Sequence, residues 1–356
     1  MKKLLIVFIM IIALSCIFAE EAWTDYIPLP ELGYGPLKYQ CQKTDVALNI
    51  DGKIDEKAWD KVEWTEKFVD IEGSLKPNPT YKTNVKMLWD DKYFYFACAM
   101  EEPHIWAKLK ERDSVIFFDN DFEIFIDPDS DTKNYYEFEM NAFNTVWDLL
   151  LISAYRDPGP NAIDSWDIQG LKSAVHIDGT LNDPSDIDNG WSVEVAIPWK
   201  VLEECAQGAP PKPGDVWRVN FSRVEWDTDI VDGDYIKRKA PEHNWVWSAQ
   251  GLINMHYPEL WGFVEFHDGP KTVLKKDYYI LERIKWQLRR LYYKQYTYRL
   301  QNKQYTDIPV EMGLIVSREF PPPRIHITPN WYEATITWEE YIISIQADGK
   351  VWVKEK

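Results

Sequence analysis

The chain has 356 residues, with 58 Asp and Glu against 40 Lys and Arg, for a net charge of −18. That charge excludes a nucleic-acid partner, because phosphate backbones require a basic face. Its 18 Trp, 20 Tyr and 15 Phe coexist with a mean hydropathy of −0.42, so many rings must lie in strands or on surfaces and not in hydrophobic helices.

Residues 1–19 read as a secretory signal peptide. Lys2 and Lys3 precede an apolar run over 4–14, and Ala19 offers a small residue at the cleavage point. Cys16 is an alternative lipidation site, although Ala13 and Leu14 stand in the wrong order for a lipoprotein box. Both readings place the chain outside the cytoplasm, whether secreted, periplasmic or at the cell surface. No later apolar run approaches the ~18 residues of a membrane helix, so no transmembrane span is expected. Cleavage leaves Cys41, Cys98 and Cys205, an odd number that allows one disulfide at most. Cys98 sits in the apolar run YFYFACAM and reads as a buried thiol, while a Cys41–Cys205 pair stays open.

Residues 20–45 are rich in Pro and Gly and read as an extended lead-in. Over 46–268, short period-two patterns alternate with Asp, Gly, Asn and Pro punctuation. They place strands at 84–89, 93–100, 121–127, 135–141, 191–197 and 217–222, with a hairpin turn at Asp90-Asp91 and a helical turn over 198–206. The richest stretch is 121–141, DFEIFIDPDSDTKNYYEFEMN. Phe122, Ile124 and Ile126 alternate with Glu123, Phe125 and Asp127, and Tyr136, Phe138 and Met140 resume the pattern after an acidic turn. The expected fold class is all-β, an antiparallel immunoglobulin-like or jelly-roll β-sandwich.

Composition breaks after Gly269. Residues 271–356 carry 15 Lys and Arg against 10 Asp and Glu. Leu281, Ile284, Leu288, Leu291, Gln295 and Tyr298 at three/four spacing predict an amphipathic helix over 276–301. Two strand patterns follow, with Gln346-Ala347-Asp348-Gly349 as a hairpin turn. This helix plus β-hairpin extension (269–356) is expected to pack on the acidic sandwich as a structural addition.

The body of the chain resembles the family 9 carbohydrate-binding modules, a β-sandwich family found with polysaccharide-degrading enzymes. The resemblance rests on LNIDGKIDEKAWD at 48–60, VKMLWDDKYFYFACAM at 85–100, the 121–141 hairpin, GWSVEVAIPWKVL at 190–202 and the closing PELWGFVEF. It implies a non-catalytic module in which two aromatic walls sandwich a sugar while planar polar groups bond its hydroxyls. Carried onto this sequence, it puts one wall at Phe117 or Phe118 and the other at Met255–His256, with Trp245 and Trp247 as further stacking candidates. Glu123 and Asn141 would bond hydroxyls, and Glu139 stands where the family has an arginine. Arg223 is a further hydroxyl partner, the alternative being that it neutralises neighbouring acids. Asn141→Ala is expected to weaken binding with little change in melting temperature.

Asp127, Asp129, Asp131 and Asn134 offer hard oxygens at alternating positions, which suits calcium. Thr132 and Phe138 at the turn-glycine and bidentate-glutamate positions exclude an EF-hand, and a solvated turn is the alternative. The resemblance implies a structural calcium. The expected partner is a polysaccharide or oligosaccharide, with polysaccharide-degrading enzymes as further partners. Three other readings compete. One is an envelope assembly protein that has lost sugar binding. A second is a glycoside hydrolase using Glu137 and Glu139, which share a strand face. A third is a haem protein, argued against because Met255 and His256, taken as strand neighbours, would point to opposite faces.

Overall fold

The computed structural model describes residues 27–356 apart from 158 and 207, so the expected signal peptide and Cys16 lie outside the described residues. The strands are β1 (Lys38–Lys43), β2 (Val69–Asp70), β3 (Thr83–Trp89), β4 (Tyr93–Glu101), β5 (Asp121–Asp127), β6 (Lys133–Asn141), β7 (Val146–Ser153), β8 (Ala162–Ile163), β9 (Lys172–Asp178) and β10 (Gly190–Pro198). After the short helix α1 (Trp199–Leu202) come β11 (Val216–Glu225), β12 (Thr228–Val231), β13 (Asp234–Lys237), β14 (His243–Val246) and β15 (Gly262–His267). The long helix α2 (Tyr278–Asn302) and strands β16 (Arg324–Ile327), β17 (Tyr332–Trp338), β18 (Tyr341–Gln346) and β19 (Val351–Glu355) complete the chain.

One sheet curls into two layers in the order β8-β7-β6-β5-β11-β15-β1-β3-β4-β10-β9, and β14 pairs with β11 and β2 beside it. The all-β sandwich is as expected, and its pairings are antiparallel except those of β1. The lead-in is not merely extended: β1 inserts parallel to both β15 and β3 and joins the two layers. Its six residues carry a mixed polar pattern that gives no strong strand signal.

The alternation read in 121–141 has a direct packing consequence. Phe122, Ile124, Ile126, Phe138 and Met140 enter the central core, where they meet Phe96 and Cys98 of β4 and Val193 of β10. The other face of the same strands is covered too. Phe125 and Tyr135 pack there with Leu149, Val246 and Trp261. Polar residues on that face are therefore buried as well, which prepares the site described below.

Local chemistry explains the remaining motifs. Asp90 closes the β3–β4 hairpin by accepting the backbone N–H groups of Lys92 and Tyr93, both at 2.7 Å. In the opening motif, Glu194 of β10 accepts Trp59 Nε1 at 2.8 Å and the backbone N–H groups of Asp51 and Gly52 at 3.0 Å. Gly52 is required twice over: its φ is +87°, and a Cβ there would lie 2.5 Å from the Val175 backbone. Cys41, Cys98 and Cys205 are all free thiols, so the Cys41–Cys205 pair left open above does not form. Cys41 and Cys98 both lie in the central core.

The extension is built on α2, two residues shifted from the expected helix at its start. Ile284, Leu288 and Leu291 pack on Ile336, Ile343 and Ile345 in a core that also takes in Tyr257 and Leu260 of the sandwich. The expected hairpin is instead an antiparallel four-stranded sheet, β16-β17-β18-β19. A tight turn at Glu339 (φ 47°) separates β17 from β18. Buried polar contacts bind α2 to the sandwich. Arg218 of β11 donates to Glu282 Oε2 at 2.8 Å, to Tyr34 Oη at 2.7 Å and to the Trp261 carbonyl at 2.7 Å. Arg289 donates to Thr132 Oγ1 at 2.7 Å, and the Tyr292 hydroxyl to Asp157 at 2.6 Å.

Arg218 and Glu282 are 2% and 3% exposed, so removing either partner strands a buried charge. Glu282→Ala should cost about 3–5 kcal/mol in urea unfolding, while Arg218→Met combined with Glu282→Leu should recover most of that loss. A loss confined to a few tenths of a kcal/mol in the single variant would show that the pair does not fasten the extension.

Candidate functional site

The polar face of the β5–β6 hairpin floors a cleft of about 470 Å³, within the size range of small-ligand sites. Glu123 and Phe125 of β5, Glu137 and Glu139 of β6 and Val224 of β11 form its base. Strand parity selects these residues, since every second side chain of each strand faces the same way. Phe117 and Trp147 stand at the sides, and the loop carrying Asn254, Met255 and His256 faces them with Tyr155.

Each wall is fixed by identifiable bonds. The Phe117 backbone N–H donates to Glu139 Oε2 at 3.1 Å, and Trp226 Nε1 donates to the Phe117 carbonyl at 2.8 Å. Trp147 lies beside Glu139 in the β6–β7 register. Across the cleft, Trp261 Nε1 donates to the Met255 carbonyl at 2.8 Å, and Arg156 Nη1 to the His256 carbonyl at 2.6 Å. His256 Nδ1 lies 2.8 Å from the Tyr135 hydroxyl, and its ring meets Tyr155 edge-on at 4.5 Å.

The electrostatics of the floor are unusual. Burial pushes the Glu123 carboxyl up to about 7. Burial first, and then the neighbouring carboxylates, hold Asp121, Glu137 and Glu139 well above the ordinary carboxylate range. Burial and then Arg156 push His256 down to about 3, so it is neutral at physiological pH. With Glu242 the cleft is lined by four glutamates and by no Lys or Arg. Its character is therefore aromatic and acidic.

Of the residues singled out from the sequence, the structure gathers Phe117, Glu123, Glu139, Met255 and His256 in this cleft. The others lie elsewhere, for physical reasons. Trp245 and Trp247 flank Val246, which packs on the cleft side of the sheet, so parity turns both indoles into the central core. Arg223 likewise lies between Ser222 and Val224 and points inward. There it pairs with Glu102 at 2.8 Å and Glu225 at 2.9 Å, the neutralising role named as its alternative. Phe118 is 52% exposed and turns away from the cleft. Asn141 is fully buried in a turn, where it donates to Leu109 and Asp119 and accepts from Phe143 and Thr145. The sequence argument against haem treated Met255 and His256 as strand neighbours on opposite faces. They lie in a loop, and both reach the cleft.

Sequence reasoning missed Tyr155, Glu242, Asn244 and Asn254. All lie outside the strands with strong alternation, except Asn244, whose four-residue strand is too short to signal itself. Trp147 had a usable signal: its pairing with Glu139 follows from extending the β6–β7 hairpin.

The acidic turn after β5 is a separate feature. One carboxylate oxygen from each of Asp127, Asp129 and Asp131 lies within 4.8 Å of the others. Asp127 accepts the backbone N–H groups of Ser130 and Thr132, both at 3.0 Å. Burial and then the Asp131 carboxylate push Asp129 up to about 6. The donor set fits a hard cation. Asn134, in the first residues of β6, is exposed.

Asn141→Ala would remove the amide partners of the buried Thr145 N–H and Asp119 carboxylate and of the half-buried Phe143 N–H. It should therefore cost at least ~2 kcal/mol in chemical unfolding, the reverse of the outcome expected from the sequence. Unchanged stability in that variant would show that the turn does not depend on the amide.

Among the described residues, no helix is long and apolar enough to cross a membrane. A profile of the family described as carbohydrate family 9 binding domain-like matches residues 50–268. Endo-1,4-beta-xylanase A of Thermotoga maritima is 30% identical over 176 residues, which are 48% of this chain and 14% of that enzyme. Exoglucanase XynX of Acetivibrio thermocellus is 28% identical over 151 residues, 42% of this chain and 11% of that protein. The chain thus spans only a small fraction of these curated relatives. Among solved structures, a family 9 carbohydrate-binding module of Caldicellulosiruptor kristjanssonii, in complex with cellotriose, superposes with a TM-score of 0.44 at 15% identity, covering 66% of this chain and 95% of that one. The same organism's module in complex with glucose gives 0.44 at 15% identity, covering 67% and 98%. Since the family profile spans well over half of the sequence and takes in both layers of the sandwich, this chain belongs to the carbohydrate family 9 binding domain-like family.

Proposed function

We propose that the protein is a non-catalytic, extracytoplasmic carbohydrate-binding protein whose β5–β6 cleft holds a neutral oligosaccharide or polysaccharide segment. The observation that carries this reading is the convergence of Phe117, Trp147 and Tyr155 on a floor of hydrogen-bond acceptors in one cleft. Pyranose C–H faces stack on aromatic rings, and carboxylates accept from sugar hydroxyls. Four glutamates without a lining cation disfavour uronate-rich chains such as pectin and favour uncharged glucans and xylans. Membership of the carbohydrate family 9 binding domain-like family supports the ligand class. Support for binding polysaccharide-degrading enzymes as partners comes from the xylanase and exoglucanase relatives that carry the matching segment.

Cleavage is disfavoured by the layout. A glycosidase sets two carboxyl groups on either side of the scissile bond. Here Glu123, Glu137 and Glu139 stand side by side on adjacent strands of one floor.

We also propose a structural calcium at Asp127, Asp129 and Asp131, which would hold the turn that Arg289 and Lys285 of α2 contact. What supports it is the crowding of the three aspartates, relieved within the protein by the backbone N–H groups of the turn and then by Lys285.

Phe117→Ala and Trp147→Ala should each weaken the binding of cello- or xylo-oligosaccharides about tenfold while circular dichroism stays unchanged, consistent with ~0.5–1.5 kcal/mol per stacked ring. Tryptophan fluorescence titration reads this directly, and silence across neutral glycans in folded protein would favour the assembly role. Calcium should raise the melting temperature by roughly 2–4 °C for each kcal/mol of binding. Asp129→Asn should abolish the response. A melting curve indifferent to EDTA would leave Lys285 as the sole neutraliser of the turn.

A further inference from the structure

Cross-strand register sets Ser222 of β11, Glu123 of β5 and Glu139 of β6 in one row on the cleft floor. Asp121 lies two residues before Glu123 and so shares its face. One carboxylate oxygen from each of Asp121, Glu123 and Glu139 falls within 4.8 Å of the others, and the three residues are at most 5% exposed. Among the described residues no Lys or Arg pairs with them. Arg223, on the opposite face, is held by Glu102 and Glu225, and Lys237 donates to the Phe118 carbonyl.

A second observation is independent of this crowding. Buried polar atoms nearly always have hydrogen-bond partners. Yet three at this spot lack a bond of good geometry: the hydroxyl of the fully buried Ser222, Asp121 Oδ2 and Glu137 Oε2, whose residues approach the neighbouring acids Glu123 and Glu139. Ser222 is a neutral oxygen ligand set directly beside Glu123 by the register, and Glu137 lies two residues from Glu139 on the same face. The bonds that do form are few. Asp121 Oδ1 accepts the Val224 N–H at 3.0 Å, and Glu139 Oε2 accepts the Phe117 N–H at 3.1 Å.

We infer that Asp121, Glu123, Glu139 and Ser222 form a site for a hard divalent cation of the calcium class, and that adjacent hydroxyls of a bound glycan complete its coordination. Calcium takes six to eight oxygen ligands. The four protein groups approach from the floor, so the remaining positions face the cleft between Phe117 and Trp147. Two neighbouring sugar hydroxyls can occupy them while the ring stacks on a wall. The first half of this inference concerns the cation alone, and the second rests on the carbohydrate reading of the cleft. The competing arrangement is a set of protons shared among the carboxyls, with no metal.

The test uses the full chain carrying Asp129→Asn and Asp131→Asn, so that the acidic turn cannot report. After EDTA treatment, calcium uptake is followed by calorimetry, and terbium uptake by luminescence excited through tryptophan. One equivalent should bind, and Glu139→Gln should lower the affinity at least tenfold with an unchanged circular dichroism spectrum. Ser222→Ala, a smaller perturbation, should lower it severalfold and guards against misfolding of the first variant. Absence of uptake, or equal uptake by the Glu139→Gln and Ser222→Ala variants, would overturn the cation site in favour of shared protons. Glycans are then titrated with calcium and with EDTA, and affinity should fall at least tenfold without calcium. Calcium-independent glycan binding would overturn hydroxyl coordination and leave the carbohydrate reading intact. Calcium uptake without any glycan binding would overturn that reading and leave the cation site standing.

Discussion

Side chains on a strand alternate between the two faces of its sheet, and in this protein both faces of the β5–β6 hairpin are covered. That constraint organises the molecule. Phe122, Ile124 and Ile126 fill the central core, and the intervening Asp121, Glu123 and Phe125 line or underlie the cleft. An antiparallel sheet with one wet face would leave those acids solvated and ordinary. Here the loop around Met255, the β14 strand and the Phe117 segment close over them, and the carboxyls move far from their solution behaviour.

Charge burial also fastens the extension to the sandwich. Residues 271–356 carry an excess of five positive charges, and the remainder is correspondingly acidic. The attachment nevertheless does not depend on long-range attraction between the two. It is made by individual groups: Glu282 against Arg218, Tyr292 against Asp157, and Arg289 against Thr132 and the Asp131 carbonyl. Such contacts act at short range and in fixed geometry, and they hold the acidic turn at Asp127 against α2. The extension is in this sense the support of the hairpin that builds the cleft.

Long, strongly alternating strands were legible in the sequence to within two or three residues, because two buried faces impose a period that no loop reproduces. The helix was legible for the same reason at its own period. The strand β1 was not: its partners lie in distant segments, and a six-residue strand with polar side chains has no local signature. The site was half legible. Phe117, Glu123 and Glu139 follow from the hairpin, whereas Tyr155 and Asn254 arrive from loops whose paths depend on tertiary bonds. Trp245, Trp247 and Arg223 were misplaced because residue type was weighed above parity. Their neighbours Val246, Ser222 and Val224 already determined which way they point.

The insertion of β1 bears on how the chain reaches this structure. Tyr39 pairs with Val264 and Gln42 with Leu88, so the strand that joins the layers has one partner more than two hundred positions away along the chain. Loop-closure entropy must be overcome before such contacts are rewarded, and topologies rich in them fold slowly. During synthesis, β1 can pair with β3 early, but its other edge stays unpaired until β15 is available. The barrier to completing the sandwich is thus set at the end of its making, with the hairpins able to assemble earlier as local units.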